Sequence, residues 1–453
     1  MRQGKAAHTD MPFVLAGVLV TASAILGGAS RDNALRLAIV ELCALPLGAL
    51  ATRPMARGGY RRQDNTTTAA FILLGLVIAV PLLQLIPLPP QLWTRLPGQA
   101  PRLEALSLAH LALPWLPISL APDETAGMAL ALIPPVAIFL ATLSLTVDQV
   151  RHLIWLWIAL ASLGLLLGVA QIAAPADSPA YPYRTTNLGS LVGLFANRNH
   201  EAGFLLALAP FAAALASHAA RRRGMRRGIK PGHALPGLFI VFSVVALGVI
   251  RARAGVLLAG PAVFLALVVL WRGDGGRRGW RPLAAIGAAI MLAVCAVAAF
   301  SLTPILARFG PQTAGELRFE AWPYVAAAAR SFQPLGSGLG SFERVFQAVE
   351  PLKLVAATYF NHAHNDYLEL WLETGWIGAA TLCLFILWLA GSSYRAWRWG
   401  AGPARAASAA ILLMMAESTV DYPLRTETLM VLFAFCCGLL AVGAGGNGEA
   451  RIR

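Results

Sequence analysis

Long apolar segments recur along almost the whole chain. A transmembrane helix needs about 20 such residues to cross roughly 30 Å of hydrocarbon. Twelve segments approach that length: residues 11–29, 33–51, 69–88, 126–145, 151–172, 200–217, 235–250, 254–271, 283–302, 370–390, 404–420 and 427–445. Charged residues make up only 13% of the 453 residues, whereas soluble domains average about 25%. We therefore expect an all-α polytopic membrane protein of about 12 transmembrane helices.

Arginine and lysine residues are distributed unevenly between the segments that connect these spans. If the amino terminus is cytoplasmic, most of the 36 Lys and Arg residues lie on the cytoplasmic side, concentrated at residues 53–62, 221–230, 272–281 and 395–405. The positive-inside rule favours this orientation, with both termini in the cytoplasm. The net charge of +14 is then expected to face membrane lipids, and no nucleic-acid partner is predicted.

The spans divide the chain into four parts. Residues 1–185 are expected to hold the amino-terminal transmembrane helices. The first span follows Arg2 and Lys5 as a signal peptide would, but eleven more spans follow it, so an uncleaved first span is expected. Residues 186–302 are expected to hold further transmembrane helices that carry two polar motifs. Residues 303–368 should form a long outer loop between spans 9 and 10, and residues 369–453 the carboxy-terminal transmembrane helices.

The outer loop shows helical periodicity. Residues 316–331 predict a surface helix with one face formed by Arg318, Trp322, Val325 and Ala329, and Pro323 is expected to disturb its first turns. A short amphipathic helix is predicted near residues 341–350, with Ser341 as its N-cap and Phe342, Phe346 and Val349 in apolar surroundings.

Polar residues are retained at four places that the topology assigns to the outer face. These are Asn197, Arg198, Asn199 and His200; Arg251 and Arg253; Arg318 with the later glycines 336, 338 and 340; and His364, Asn365 and Asp366. Simpler structural roles exist for each: Asn197 and Asn199 can cap a helix, and an isolated interfacial arginine can snorkel. Glycines 336, 338 and 340 follow no strand, which disfavours a dinucleotide loop.

The same motifs resemble the O-antigen ligase/polymerase superfamily. His364-Asn365-Asp366-Tyr367-Leu368, followed by Glu373-Thr374-Gly375-Trp376-Ile377-Gly378, is similar to the family's carboxy-terminal signature, and the other motifs occur in the family's order. Residues 420–425 resemble a further block between its last spans. Two positions depart from the family pattern: Ala252 replaces a usual serine, and Glu417 replaces a frequent histidine.

The resemblance implies transfer of a glycan from an undecaprenyl-pyrophosphate carrier to an acceptor hydroxyl on the periplasmic face of the bacterial inner membrane. The acceptor would be lipid A-core for a ligase or a growing glycan for a polymerase. On this basis His364 is the expected general base, and Arg253 and Arg318 stabilise the leaving diphosphate. Expected substrate-binding residues are Arg198, Asn197, Asn199, His200, Asn365 and Asp366, with Asp366 also a competing base.

No cofactor or metal is expected. The chain contains no Asp-x-Asp pair, and the outer segments are expected to lack a carboxylate cluster, which leaves arginine to neutralise the diphosphate. Direct displacement with inversion is favoured, because no carboxylate nucleophile stands out. O-antigen ligation is the leading interpretation, a polymerase of the same superfamily is the alternative, and a flippase is disfavoured because no internal repeat is evident.

Overall fold

The computed structural model describes residues 3–30, 33–52, 65–185, 187–221, 231–250, 252–273, 292, 314–355 and 359–443. Every regular element in these ranges is helical, apart from one isolated bridge between Leu88 and Leu116. The helices are α1 Gln3–Leu26, α2 Ala34–Ala51, α3 Asn65–Gln84, α4 Pro90–Trp93, α5 Ala100–Leu108, α6 Pro122–Leu130, α7 Ile133–Thr142, α8 Val147–Ile172, α9 Arg198–Arg221, α10 Pro231–Ile250, α11 Arg253–Gly273, α12 Ala314–Ser331, α13 Phe342–Val349, α14 Asp366–Trp399, α15 Gly402–Glu417 and α16 Glu427–Gly443.

Seven segments of the described chain are long and apolar enough to cross a membrane: α2, α3, the combined α6 and α7, α8, most of α9, α11 and α14. Shorter apolar helices occur at Asp10–Leu26, Leu235–Ile250 and Glu427–Gly443. The described part of the chain is therefore helical, and its apolar helices indicate a multi-pass membrane protein. The expected ninth span, at residues 283–302, lies outside the described residues apart from Leu292, as do most of the basic clusters at 53–62, 222–230 and 274–281.

Helix α9 forms the centre of the bundle. Its candidate span, Arg198–Ala219, is 83% buried, while the candidate spans in α2 and α3 are each 22% buried. Helices α10, α11 and α15 pack around α9, and α7 packs between α2 and α16. Small residues permit this close approach: a Cβ at Gly203 in α9 would overlap the Glu417 carboxylate of α15. Close contact between helices is expected in lipid, where association depends on packing rather than on exclusion of water.

Helices α4, α5, α12 and α13 and the segments between them form a layer against the ends of α3 and α14. We call it the layer of short helices. The turn at residues 334–340 connects this layer to α14. It packs against a kink in α14 at Gly375 (φ 60°, ψ −149°). Backbone hydrogen bonds from Ser337 to Leu372 (3.0 Å) and from Gly338 to Glu373 (2.9 Å) connect the two. Gly336 has φ 78°, and a Cβ there would lie 2.3 Å from the Glu373 carbonyl oxygen. These glycines therefore permit backbone docking.

The predicted loop helices are present with small differences. In α12 the predicted face is confirmed: Val325 and Ala329 are fully buried, and Pro323 lies inside a helix that continues past it. In α13, Phe342 and Phe346 are buried and stack with ring centroids 5.4 Å apart. The expectation for Val349 is wrong, because it lies in the last turn and is 42% exposed. Ser341 occupies the N-cap position without a side-chain cap, because its hydroxyl bonds that of Ser337 instead (2.6 Å).

Candidate functional site

One end of the bundle gathers most of the polar motifs. Helices α9, α11, α14 and α16 begin there, α15 ends there, and residues 418–426 connect α15 to α16. Helix α12 covers this end. Its Arg318 donates a hydrogen bond to the Val420 carbonyl oxygen (2.9 Å), and one turn later Trp322 donates to the Ala363 carbonyl oxygen (2.9 Å). The outer loop is therefore joined to two separate parts of the site through one helical face.

His364 has its ring orientation fixed by the backbone before it. Its Nδ1 lies 3.0 Å from the carbonyl oxygen of His362, so Nδ1 carries the proton and Nε2 keeps a free lone pair. The residue has φ 51°, a left-handed conformation that non-glycine residues adopt at a cost of about 1–2 kcal/mol. Burial lowers the pKa of His364, Asp421 opposes this effect, and Arg318 lowers the pKa further. The imidazole is therefore held neutral and able to accept a proton.

Tyr422 lies at the centre of three histidines. Its ring centroid is 4.3 Å from that of His362, 4.9 Å from His364 and 4.9 Å from His200. Burial raises the pKa of Tyr422 to about 12, and the neighbouring Asp421 acts in the same direction. The phenol is therefore neutral, and its ring fixes the spacing of the three imidazoles.

Asp421 is a negatively charged residue beside these rings. Its carboxylate accepts a hydrogen bond from the Asn199 side-chain amide and another from the Tyr422 backbone N–H (2.9 Å), and it lies 3.9 Å from His200 Nε2. Burial acts to raise the pKa of Asp421, but electrostatic interactions with His200, His364 and Arg318 and the hydrogen bond from Asn199 hold it below its ordinary value. Asp421 is therefore ionised, which favours cationic groups at this end of the bundle.

Three carboxylates converge on Arg425. Its guanidinium lies 2.9 Å from Glu373, 3.5 Å from Glu369 and 3.6 Å from Asp366. Burial acts to lower the pKa of Arg425, but the three carboxylates raise it above its ordinary value, so the side chain is charged. The expectation that the outer-face segments lack a carboxylate cluster is wrong. Residues 366, 369 and 373 follow the i, i+3, i+7 spacing of one helical face, so this spacing is a signal in the sequence for the cluster.

Glu369 connects the cluster around Arg425 to the histidine segment. One of its oxygens lies 2.8 Å from His362 Nδ1, and the other accepts a hydrogen bond from the Ala363 N–H at 2.7 Å. Since the His362 carbonyl oxygen in turn holds His364 Nδ1, a continuous chain of contacts runs from Arg425 to the imidazole of His364. Glu373 extends the same cluster to α13 through the Phe342 N–H (3.2 Å).

The other residues singled out in the sequence have varied placements. Asn365 caps α14, because its side chain accepts a hydrogen bond from the Leu368 N–H (3.0 Å), and Asp366 accepts one from Ser418 (2.8 Å). Asn197 accepts a hydrogen bond from the Asn199 N–H in the first turn of α9 (2.9 Å). His200 is buried, with 1% exposure, behind Tyr422. The capping alternative therefore holds for Asn197, and the structure gives Asn365 the same role.

Arg198 and Arg253 are the first residues of α9 and α11. These two helix starts are adjacent, because a Cβ at Gly255 would lie 2.8 Å from the Cβ of Ala202. Both arginines are partly exposed. Arg251 lies outside the described residues. The bundle therefore brings Arg198 and Arg253 to the same end as His364, although they come from separate helices.

Six residues at the centre of the site are not among those predicted from the sequence: His362, Glu369, Glu373, Asp421, Tyr422 and Arg425. Asp421, Tyr422 and Arg425 belong to the block at residues 420–425 that resembles the family's block between its last spans. Glu417 is buried against Gly203 and does not disrupt this block. Within the described part of the chain, no group of three or more His, Cys, Asp or Glu residues is arranged to hold a metal ion.

Comparison with protein families supports the resemblance seen in the motifs. Residues 238–383 match the family model described as O-antigen ligase. This similarity covers about a third of the chain. The matched region includes Arg253, Arg318, His364 and the first half of α14. No curated protein matches the chain.

Proposed function

We propose that the protein transfers a glycan from an undecaprenyl-pyrophosphate carrier to an acceptor hydroxyl on the periplasmic face of the inner membrane, and that it ligates O-antigen to lipid A-core. The observation that carries the proposal is the geometry of His364. Its Nδ1 is engaged by the His362 carbonyl oxygen (3.0 Å), so Nε2 is the free proton acceptor. Arg318 lies close enough to influence this imidazole and provides a guanidinium suited to phosphate oxygens.

In the proposed step, the acceptor hydroxyl oxygen attacks the anomeric carbon of the carrier-linked sugar. The bond between that carbon and the pyrophosphate oxygen breaks, and its electron pair leaves with the diphosphate. The hydroxyl proton passes to His364 Nε2. Because one bond forms as the other breaks, the anomeric configuration inverts. Asp366 is less suited to act as the base, since its carboxylate already contacts Ser418 and Arg425.

Arginine neutralises the developing charge on the diphosphate in this proposal. Arg253 and Arg318 fill this role, with Arg198 beside the start of α11. Asn197, Asn199, His200 and Asn365 then support the site through helix capping and the Asp421 contacts. Removing one preorganised contact of this kind costs about 2.7–4 kcal/mol in a transition state, or about 10²–10³ in rate.

A deletion strain tests the choice between ligase and polymerase. Loss of the ligase leaves full-length polymer on the carrier and lipid A-core without O-antigen, whereas loss of a polymerase leaves single repeats. Complementation with His364→Ala should fail, and the matched variant His152→Ala, an exposed histidine of α8, should restore the wild-type pattern. Single repeats on the carrier would overturn the ligase assignment. Normal glycan in the deletion strain would overturn glycan transfer altogether.

A further inference from the structure

Residues 107–115, the end of α5 and the loop that follows it, form an apolar segment that the rest of the described chain leaves uncovered. We call this segment the apolar loop. All nine residues are exposed, and only Ser107 and His110 among them are polar. Leu108 is 75% exposed, Leu111 60% and Trp115 65%. No Asp, Glu, Lys or Arg occurs between Glu104 and Asp123. A contiguous apolar surface of this kind marks a site of interaction with a partner or with lipid.

The base of this loop is held in a fixed shape. Leu88 and Leu116 exchange backbone hydrogen bonds of 2.9 and 3.1 Å. The Trp93 indole donates to the Pro114 carbonyl oxygen at 2.9 Å, and Arg102 donates to the carbonyl oxygens of Pro117 (3.1 Å) and Ser119 (2.8 Å). The polar backbone at the base is thereby satisfied within the protein, and the side chains at the tip extend outward.

The loop begins close to the end of a candidate membrane span. Leu88 lies four residues beyond the end of α3, and the Ser119 N–H donates to the carbonyl oxygen of Gln84, the last residue of α3 (3.1 Å). The lipid-facing surface of α3 continues toward the loop through side chains that are about half exposed, namely Leu82, Leu83, Ile86 and Leu92. The loop is therefore continuous with the surface that α3 presents to hydrocarbon. Trp115 is of the residue type enriched at membrane interfaces.

We propose that residues 107–115 insert into the interfacial region of the lipid bilayer at this end of α3. The inserted loop anchors the layer of short helices to the membrane. The Leu120 N–H donates to the Ser337 carbonyl oxygen (2.8 Å), and the Ser337 N–H donates to Leu372 of α14 (3.0 Å). The anchor is thus connected to α14, the helix that carries Glu369 and Glu373. It fixes the distance between the layer of short helices and the hydrocarbon of the bilayer. The inference depends on the membrane spans and not on glycan transfer.

Site-specific fluorescence in proteoliposomes tests the insertion. Dansylalanine replaces Leu111 in one variant of the full chain and Gln347 of α13 in the matched control. Both positions are exposed, so neither replacement disturbs packing. Each variant is reconstituted in phosphatidylcholine vesicles with and without a shallow doxyl-labelled lipid, and aqueous iodide is added separately.

We expect the probe at residue 111 to be quenched by the doxyl lipid and to have a severalfold smaller iodide quenching constant than the probe at residue 347. Equal iodide quenching at the two positions would place the loop in water and overturn the proposal. Protection from both quenchers would mean that protein covers the loop, either another segment of the chain or a second copy, and would overturn it as well.

Discussion

Replacement of Glu369 by Gln tests the chain of contacts that positions the histidine segment. The carboxylate of Glu369 lies 2.8 Å from His362 Nδ1, accepts a hydrogen bond from the Ala363 N–H at 2.7 Å and lies 3.5 Å from Arg425. Glutamine keeps the size of the side chain and one acceptor oxygen, but it loses the charge and the second acceptor. Arg425 stays paired through Glu373 at 2.9 Å, so no buried charge is left alone.

The expected cost follows from the hydrogen bond that is lost. A hydrogen bond to a charged group contributes about 1.5–3 kcal/mol. If the loss displaces His364 and raises the activation free energy by the same amount, kcat falls roughly 10- to 100-fold. In the proposed mechanism His364 acts on the acceptor, whereas Arg253 and Arg318 bind the diphosphate. KM for the carrier-linked donor should therefore change little.

The assay is steady-state transfer in proteoliposomes with a carrier-linked glycan and a lipid A-core acceptor, accompanied by a thermal unfolding measurement. The matched control is Glu320→Gln in α12, whose partner Lys353 is 3.3 Å away with both side chains more than half exposed. An exposed pair of this kind contributes about 0–1 kcal/mol, so its kcat should be that of the wild type. A Glu369→Gln variant with wild-type kcat would refute the positioning role, and a loss explained entirely by unfolding would refute its link to catalysis.

Five further outcomes are expected in the same assay. His364→Ala should abolish transfer while the carrier-linked donor still binds, and near wild-type turnover would remove its assignment as the base. Arg318→Lys and Arg253→Lys keep the charge but lose the planar fork, so each should reduce kcat about 10²–10³-fold if it contacts the diphosphate; unchanged turnover would make that arginine a structural residue. Because the pKa of His364 is lowered, activity should be present above that pKa and lost only as pH falls below about 6.5. Asp421→Asn removes a charge that raises this pKa, so it should move the acidic limb to lower pH, and a limb moving upward would contradict the coupling. Transfer should persist in excess EDTA, and loss of activity that added Mg²⁺ restores would contradict metal independence.

Much of the fold could be predicted because its signals are local. Apolar segments of span length and helical periodicity depend on neighbouring residues, so the starts of α9, α11 and α14 fall within four residues of the predicted spans. The buried face of α12 followed from the spacing of Arg318, Trp322, Val325 and Ala329 for the same reason. The burial of Val349 at the end of α13 could not be predicted in this way, because it depends on how α12 and α14 pack around that helix.

The site was predicted less completely, because its contacts join distant parts of the chain. Asn199 and Asp421 are 222 residues apart in sequence, and Arg318 and Val420 are 102 apart. Nothing local to residues 420–425 indicates that Tyr422 will separate three histidines or that Arg425 will meet three carboxylates. A short polar segment has no periodicity that predicts its partners.

The sequence by itself predicted a helical membrane protein, and its motifs gave the family resemblance and the proposal of His364, Arg253 and Arg318 as site residues. Apolarity, helical period and motif spacing are properties of a single chain read in order. Only the tertiary structure decided how the polar groups pair. Burial makes each unpaired charge costly, so the bundle matches Arg425 with Asp366, Glu369 and Glu373, and the chain of contacts from Arg425 to His364 arises from that packing.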